Sequence, residues 1–209
     1  LQLVLIDVAT GATAQLTSMP GYKINPSFSP DGESVYFASN AFREYPDIIR
    51  IEQDGTNQSV FLTAGGFTGF WSAVAFSPDG TRLTYTIDPI SNVNSAIVVA
   101  NADGSGATQI TGNDGFGFSD NGPVFSPDGQ TIAYWTSDRR GYENGYEIAL
   151  INADGTGLQY VVPYDSLPGR SESPNFLSAT QLAFDSDAAG DFDLYVVNTD
   201  GSGLEVLLA

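Results

Sequence analysis

Cysteine and histidine are both absent from the 209 residues, and each absence removes a class of chemistry. Without cysteine there is no disulfide, no thiolate nucleophile and no thiolate-ligated metal. Without histidine the usual Ser-His-Asp and Cys-His systems are excluded, together with the commonest transition-metal ligand. Basic residues are scarce: 7 Lys and Arg stand against 25 Asp and Glu, a formal net charge of −18. So acidic a surface repels nucleic acid and anionic membrane, and neither is an expected partner. No apolar run approaches the ~18 residues of a membrane-spanning helix, so membrane insertion is not expected. The chain opens on Leu1 without an initiator methionine or a signal peptide. That reads as a processed mature chain or an excerpt of a longer one.

What is present is turn-forming and apolar: 23 Gly, 11 Pro and 42% hydrophobic residues, a globular composition that leans toward all-β. Internal repetition then decides the fold class. Phe28-Ser29-Pro30-Asp31-Gly32 returns as Phe76-Ser77-Pro78-Asp79-Gly80 and as Phe125-Ser126-Pro127-Asp128-Gly129, with a degenerate copy at Phe176-Leu177-Ser178-Ala179-Thr180. A second marker keeps step with it: Asp54-Gly55, Asp103-Gly104, Asp154-Gly155 and Asp200-Gly201. An interval of about 50 residues holding several short strands is the signature of a propeller blade. In the second unit the strands read as 72–76, 82–87, 96–100 and 108–110, with Leu83, Tyr85 and Ile87 alternating against Arg82, Thr84 and Thr86. Pro presets φ, Asp bonds nearby backbone N–H groups and Gly takes the positive φ, so each Asp-Gly element predicts a hairpin turn.

Pro-Asp-Gly after a short strand, then a strand such as Thr131-Ile132-Ala133-Tyr134-Trp135, then Asn152-Ala153-Asp154-Gly155-Thr156-Gly157, resembles the TolB-like propeller repeat. The resemblance covers nearly the whole chain. It implies a β-propeller, and it implies function weakly, because such propellers are scaffolds with grafted sites. Similar blades serve TolB, tricorn-type and prolyl-oligopeptidase propellers and many bacterial surface proteins.

The expected fold is therefore all-β: one propeller domain over 1–209, with four full four-stranded blades at 25–63, 73–111, 122–162 and 173–208. An N-terminal two-stranded half blade at 1–17 precedes them, because Leu16-Thr17 matches Leu62-Thr63 and Ile110-Thr111 at the end of a fourth strand. Its two inner strands have no counterpart in the sequence. Unpaired edges and an apolar face are costly and sticky, so Leu3, Leu5 and Leu16 are candidate assembly residues that pair with another copy.

Strand order places the short Asp-Gly turns on one face and the longer loops on the other. Asp31, Asp54, Asp79, Asp103, Asp128, Asp154 and Asp200 are accounted for as turn-formers. The opposite face gathers five of the seven bases (Lys23, Arg43, Arg139, Arg140, Arg170) and many aromatics. The candidate interaction face is Phe67, Phe70, Trp71, Phe116, Phe118, Arg139, Arg140 and Tyr142, since aromatics with Arg are what interfaces use. Against that stands a packing role for Trp71, and the resemblance to TolB-like repeats implies ion pairs of Arg139 or Arg140 with Glu143 or Glu147. Asp185, Asp187 and Asp191 form the one candidate metal site, for calcium. The run departs from the EF-hand pattern at Ala189 and lacks its final Glu. No other cofactor is expected. Asn57-Gln58-Ser59 is the single glycosylation sequon.

These readings point to a non-enzymatic structural or interaction module, extracellular, periplasmic or on the cell surface. Its expected partners are further copies of itself, assembled into fibres by strand or blade completion, and other envelope proteins or glycans. Two alternatives stay open: part of a larger TolB-like propeller that binds proteins or gates a peptidase, and a glycosidase or lyase using carboxylates alone.

Overall fold

The structure is a computed structural model and describes residues 1–42, 44–63, 67–70, 74–89, 94–112, 119–137 and 145–208, with the backbone alone for 67–70 and 89. Every regular element among the described residues is a strand. A two-stranded hairpin, β1 (Val4–Ile6) and β2 (Thr13–Gln15), leads four antiparallel sheets. Blade 1 is β3 (Lys23–Phe28), β4 (Ser34–Ser39), β5 (Asp47–Glu52) and β6 (Ser59–Leu62). Blade 2 is β7 (Phe67–Phe70), β8 (Ala75–Phe76), β9 (Arg82–Pro89), β10 (Ala96–Asn101) and β11 (Thr108–Gln109). Blade 3 is β12 (Asp120–Phe125), β13 (Thr131–Ser137), β14 (Tyr146–Asn152) and β15 (Gln159–Val162). Blade 4 is β16 (Ser171–Ser178), β17 (Gln181–Ser186), β18 (Asp193–Asn198) and β19 (Glu205–Leu208). The architecture is a β-propeller of four blades and a half blade, as the repeat requires.

Blade 2 departs from the expected pattern. Its inner edge is built from two pieces, since both β7 and β8 pair with β9. Phe67 and Phe70, read from sequence as loop residues, lie in β7 instead. The Gly-rich flanks of this segment hide the strand from a period-two pattern.

Both flanks of a blade must be covered, and the middle strands show it as near-continuous apolar runs. In β5, Ile48 packs with blade 2 while Ile49 and Ile51 pack toward the half blade. In β10, Val98 and Ala100 turn back toward blade 1 while Ile97 and Val99 meet Phe125, Ile132 and Tyr134 of blade 3. In β14, Ile148 and Leu150 meet Leu182, Phe184 and Tyr195 of blade 4. Successive side chains on a strand point to opposite faces, so one strand serves two interfaces. Four apolar layers result, running half blade to blade 1, 1 to 2, 2 to 3 and 3 to 4.

The innermost strands repeat a distortion. Registers slip between Ile24 and Ser27, between Asn121 and Val124, and between Glu172 and Asn175. Each slip holds a left-handed residue followed by proline: Asn25 (φ 51°) before Pro26, Gly122 (φ 61°) before Pro123, Ser173 (φ 53°) before Pro174. Proline donates no ladder bond, so it is found at such bulges, which bend the strand. The signal was available in the sequence, since Pro stands two residues before Phe28, Phe125 and Phe176.

Phe37 and Phe184 sit in different layers, at 0% and 1% exposure. Phe37→Ala and Phe184→Ala are each expected to lower stability by about 3–5 kcal/mol, read as a reduced midpoint in urea denaturation. The double variant should be additive, because the two layers share no residue.

Candidate functional site

Seven of the 25 acidic residues close turns, as the Asp-Gly elements of the sequence predict. In the first-to-second turns of blades 1 to 3, the Ser29, Ser77 and Ser126 hydroxyls donate to Oδ1 of Asp31, Asp79 and Asp128 at 2.5, 2.6 and 2.6 Å. The same carboxylates accept backbone N–H bonds from Glu33, Thr81 and Gln130 at 2.9, 3.0 and 3.0 Å. In the third-to-fourth turns, Asp54, Asp103, Asp154 and Asp200 accept from the N–H two residues on at 2.8–2.9 Å. Backbone bonds such as Gln53 N–H to Glu33 O (2.9 Å) and Ala153 N–H to Gln130 O (2.8 Å) tie the two turn sets together on one face. These bonds favour the ionised form, so all seven carboxyls are held below their ordinary range.

The half blade is anchored rather than loose. The Thr17 hydroxyl accepts the Leu3 N–H at 3.0 Å, as the Thr111 hydroxyl accepts the Ile97 N–H at 2.9 Å in blade 2. Thr17 also donates to Gln2 Oε1 at 2.7 Å. Lys23, read from sequence as a surface base, is buried at 5% exposure. Its Nζ donates to the carbonyls of Leu1 (3.3 Å), Pro20 (3.1 Å), Gly21 (3.0 Å) and Met19, and so clasps the connection between half blade and blade 1. Leu3, Leu5 and Leu16 all face blade 1, packing with Val35, Phe37, Ile49 and Ile51. The apolar face nominated for assembly is thus covered by this chain's own blade 1.

What stays open is the other flank. Val4 and Ile6 alternate with Leu3 and Leu5 and are 53% and 64% exposed. Blade 1 shows a related exposure. Phe76 and Phe125 pack between blades, Phe76 edge-on to Tyr36 with ring centroids 5.1 Å apart, whereas the matching Phe28 is 52% exposed. At the far end, Val161 and Val162 of β15 are covered by blade 4 at 3% and 1% exposure. Their counterparts in β19, Leu207 and Leu208, are 55% and 68% exposed. Among the described residues no apolar cluster joins blade 4 to the half blade.

The inner strands of all four blades surround a cavity of about 800 Å³. Its described wall carries the three proline bulges, the carboxylate of Asp88 and several hydroxyls and amides, with no Lys or Arg among the described residues.

The sequence-nominated interaction face falls almost wholly outside the described residues: Trp71, Phe116, Phe118, Arg139, Arg140 and Tyr142 do, as do the side chains of Phe67 and Phe70. Glu147, a suggested ion-pair partner there, accepts the Tyr164 N–H at 2.8 Å. Of the calcium candidates, Asp187 is bound to Arg170, taking its N–H and its Nε–H at 2.7 Å each. The Arg170 N–H bond, more than the guanidinium charge, holds the Asp187 carboxyl low. Burial instead raises Glu172, which faces Asp185 across the sheet. Among the described residues no three acidic side chains come together as a metal-binding group.

Comparison with solved structures settles the fold. A TolB-type protein of Agrobacterium tumefaciens superimposes with a TM-score of 0.82 at 20% identity, over 100% of this chain and 69% of that one. The chain has the TolB-like β-propeller fold. A chain of a nidogen/laminin complex matches at 0.72 and 16% identity, over 99% of this chain and 73% of that one. An oligogalacturonate lyase from Vibrio parahaemolyticus matches at 0.68 and 14% identity, over 98% and 58%. No family model matches the sequence. Among the described residues of this TolB-like propeller, no helix is long and apolar enough to cross a membrane.

The turn carboxylates imply an acid limb of stability. Their folded pKa values are lowered, Asp79 to about 2 from 3.8, chiefly by the Ser77 hydroxyl and then the Thr81 N–H. The stabilisation is therefore complete above the unfolded value and is lost as pH falls through the folded one. Melting temperature is expected to drop between about pH 4 and pH 2, and Asp79→Asn should flatten that slope while lowering stability at neutral pH.

Proposed function

We propose that the protein is a non-enzymatic, TolB-like interaction module of the cell envelope or exterior that assembles with copies of itself. The observation that carries this reading is the pair of open flanks. Val4 and Ile6 belong to the flank that, on blades 2 to 4, receives the preceding blade, while Leu207 and Leu208 belong to the flank that, on blades 1 to 3, covers the following one. One chain carries both halves of its own repeated interface, at opposite ends. Contact between a blade 4 flank and the half blade of a second copy is heterologous, and a heterologous contact that does not close grows into a fibre.

The open edge of β1 adds to this. Leu3 and Asp7 exchange backbone bonds with β2, through Leu16 N–H to Leu3 O (2.9 Å) and Asp7 N–H to Ala12 O (2.8 Å). Antiparallel alternation then turns the backbone groups of Val4 and Ile6 toward the edge where a second strand would lie. That edge, beside Phe28, suits strand addition. The placement outside the cytoplasm is supported by the acidic composition, the lack of cysteine and the resemblance to envelope propellers. The absence of histidine and the engagement of seven aspartates in turns support a non-enzymatic role.

Deleting 1–17 would uncover Val35, Phe37, Ile49 and Ile51 and so confound any test of assembly. Charged substitutions on the open flanks avoid this. Wild type is expected to form polymers by light scattering and electron microscopy at about 100 µM, a concentration at which even micromolar contacts saturate. Val4→Lys/Ile6→Lys and Leu207→Lys/Leu208→Lys should each be monomeric, and their equimolar mixture should stop at a dimer, since one intact flank of each kind remains. A monomeric wild type, or variants that polymerise like it, would refute self-assembly.

A further inference from the structure

From the cavity on the propeller axis we infer that this chain binds a neutral oligosaccharide, at a site independent of the two open flanks. The cavity is bounded by strands from all four blades, so its shape is fixed by the sheets themselves. Its volume of about 800 Å³ lies within the ~300–1,000 Å³ of small-ligand sites.

The wall chemistry selects the ligand class. Trp135 and Tyr146, cross-strand neighbours in blade 3, stack with ring centroids 4.7 Å apart and planes tilted by 35°. Both side chains are partly exposed and both line the cavity. An aromatic surface of this kind accepts the C–H face of a pyranose ring as readily as it packs apolar groups. Around it stand Asn121 and Ser137, whose amide and hydroxyl groups can donate and accept, the two capacities that sugar hydroxyls need in turn. Gly122, at φ +61°, keeps the bulge clear of the indole, since a Cβ there would stand 3.1 Å from Trp135 Nε1.

Charge disfavours the competitors. Among the described lining residues there is no Lys or Arg, and the chain carries −18 overall, so an acidic sugar would enter against the field. Asp88, the one carboxylate among the described lining residues, accepts the Ser95 hydroxyl at 2.8 Å, which sets it up as a positioned hydrogen-bond acceptor rather than as the counter-ion of a cationic ligand.

Calorimetry and tryptophan fluorescence with maltotriose, cellotriose and N-acetylchitotriose test the inference on the full chain. At least one of the three is expected to bind saturably with Kd at or below about 1 mM, and Trp135→Phe and Ser137→Ala should each weaken it about tenfold or more. The two variants should keep the wild-type melting temperature within a few degrees, which separates a lost contact from a lost fold. Trigalacturonate and tetramethylammonium serve as charged controls. No binding of any neutral trisaccharide at about 10 mM, binding of trigalacturonate as tight as theirs, or binding of tetramethylammonium in their place would each overturn the inference. The Val4→Lys/Ile6→Lys variant should bind the sugar unchanged, so that failure of assembly and failure of sugar binding are read separately.

Discussion

The structure depends on one contact made four times: the apolar flank of a blade laid against the flank of the next. A four-stranded twisted sheet with both faces apolar has no stable existence alone, because each face exposes Ile, Leu and Val that only a neighbour can cover. The middle strands carry the whole demand, with Ile48, Ile97 and Ile148 on one flank and Ile49, Val98 and Ala149 on the other. Repetition of such a contact has no natural end within an arc. Each blade satisfies the one before it and creates the same need after it, and the exposed flanks at Val4 and Ile6 and at Leu207 and Leu208 are two further surfaces of this kind.

Polar chemistry is subordinate to that contact and serves mainly to aim it. The turn carboxylates fix where each strand reverses, and so fix the register that decides which side chains reach which flank. Ser77, Asp79 and Thr81 show the economy of the device: one carboxylate takes a hydroxyl and a backbone N–H, and Gly80 supplies the left-handed return at φ 69°. Blade 4 closes its first turn without Asp or Gly, at Ala179 and Thr180 between β16 and β17. The apolar layer with blade 3 is intact there, so packing, rather than the turn motif, holds the blade in place.

Much of the fold was legible because these two features leave separate traces in sequence. Asp-Gly markers announce the reversals, and the run between them announces strands buried on both sides. The half blade was legible for the same reason, through Leu16-Thr17. What was not legible was direction. Leu3 and Leu5 look no different from Val4 and Ile6 in a list of apolar residues, and only the register with β2 and the packing on Phe37 show which pair is spent and which is open. Lys23 misled for a related reason. Backbone carbonyls that clasp an ammonium leave no mark in a sequence, whereas a lysine beside a glycine and a tyrosine resembles a surface base. Phe67 and Phe70 lie in a strand that their glycine-rich neighbours conceal in the sequence.

The proline bulges connect the two functional readings. A propeller narrows toward its axis, and the innermost strands meet first. Breaking the ladder at Asn25-Pro26, Gly122-Pro123 and Ser173-Pro174 bends those strands, and the broken stretches line the axial cavity. Two of the three sites hold a non-glycine residue at positive φ directly before proline, a conformation that both sterics and the following ring disfavour. Strain repeated at equivalent places is held there by the surrounding sheets, and it is tolerated where the backbone borders open space. The arc of blades therefore has two surfaces of different origin. Its flanks expose Val4, Ile6, Leu207 and Leu208, and its axis is lined by the bent inner strands of blades 1, 3 and 4.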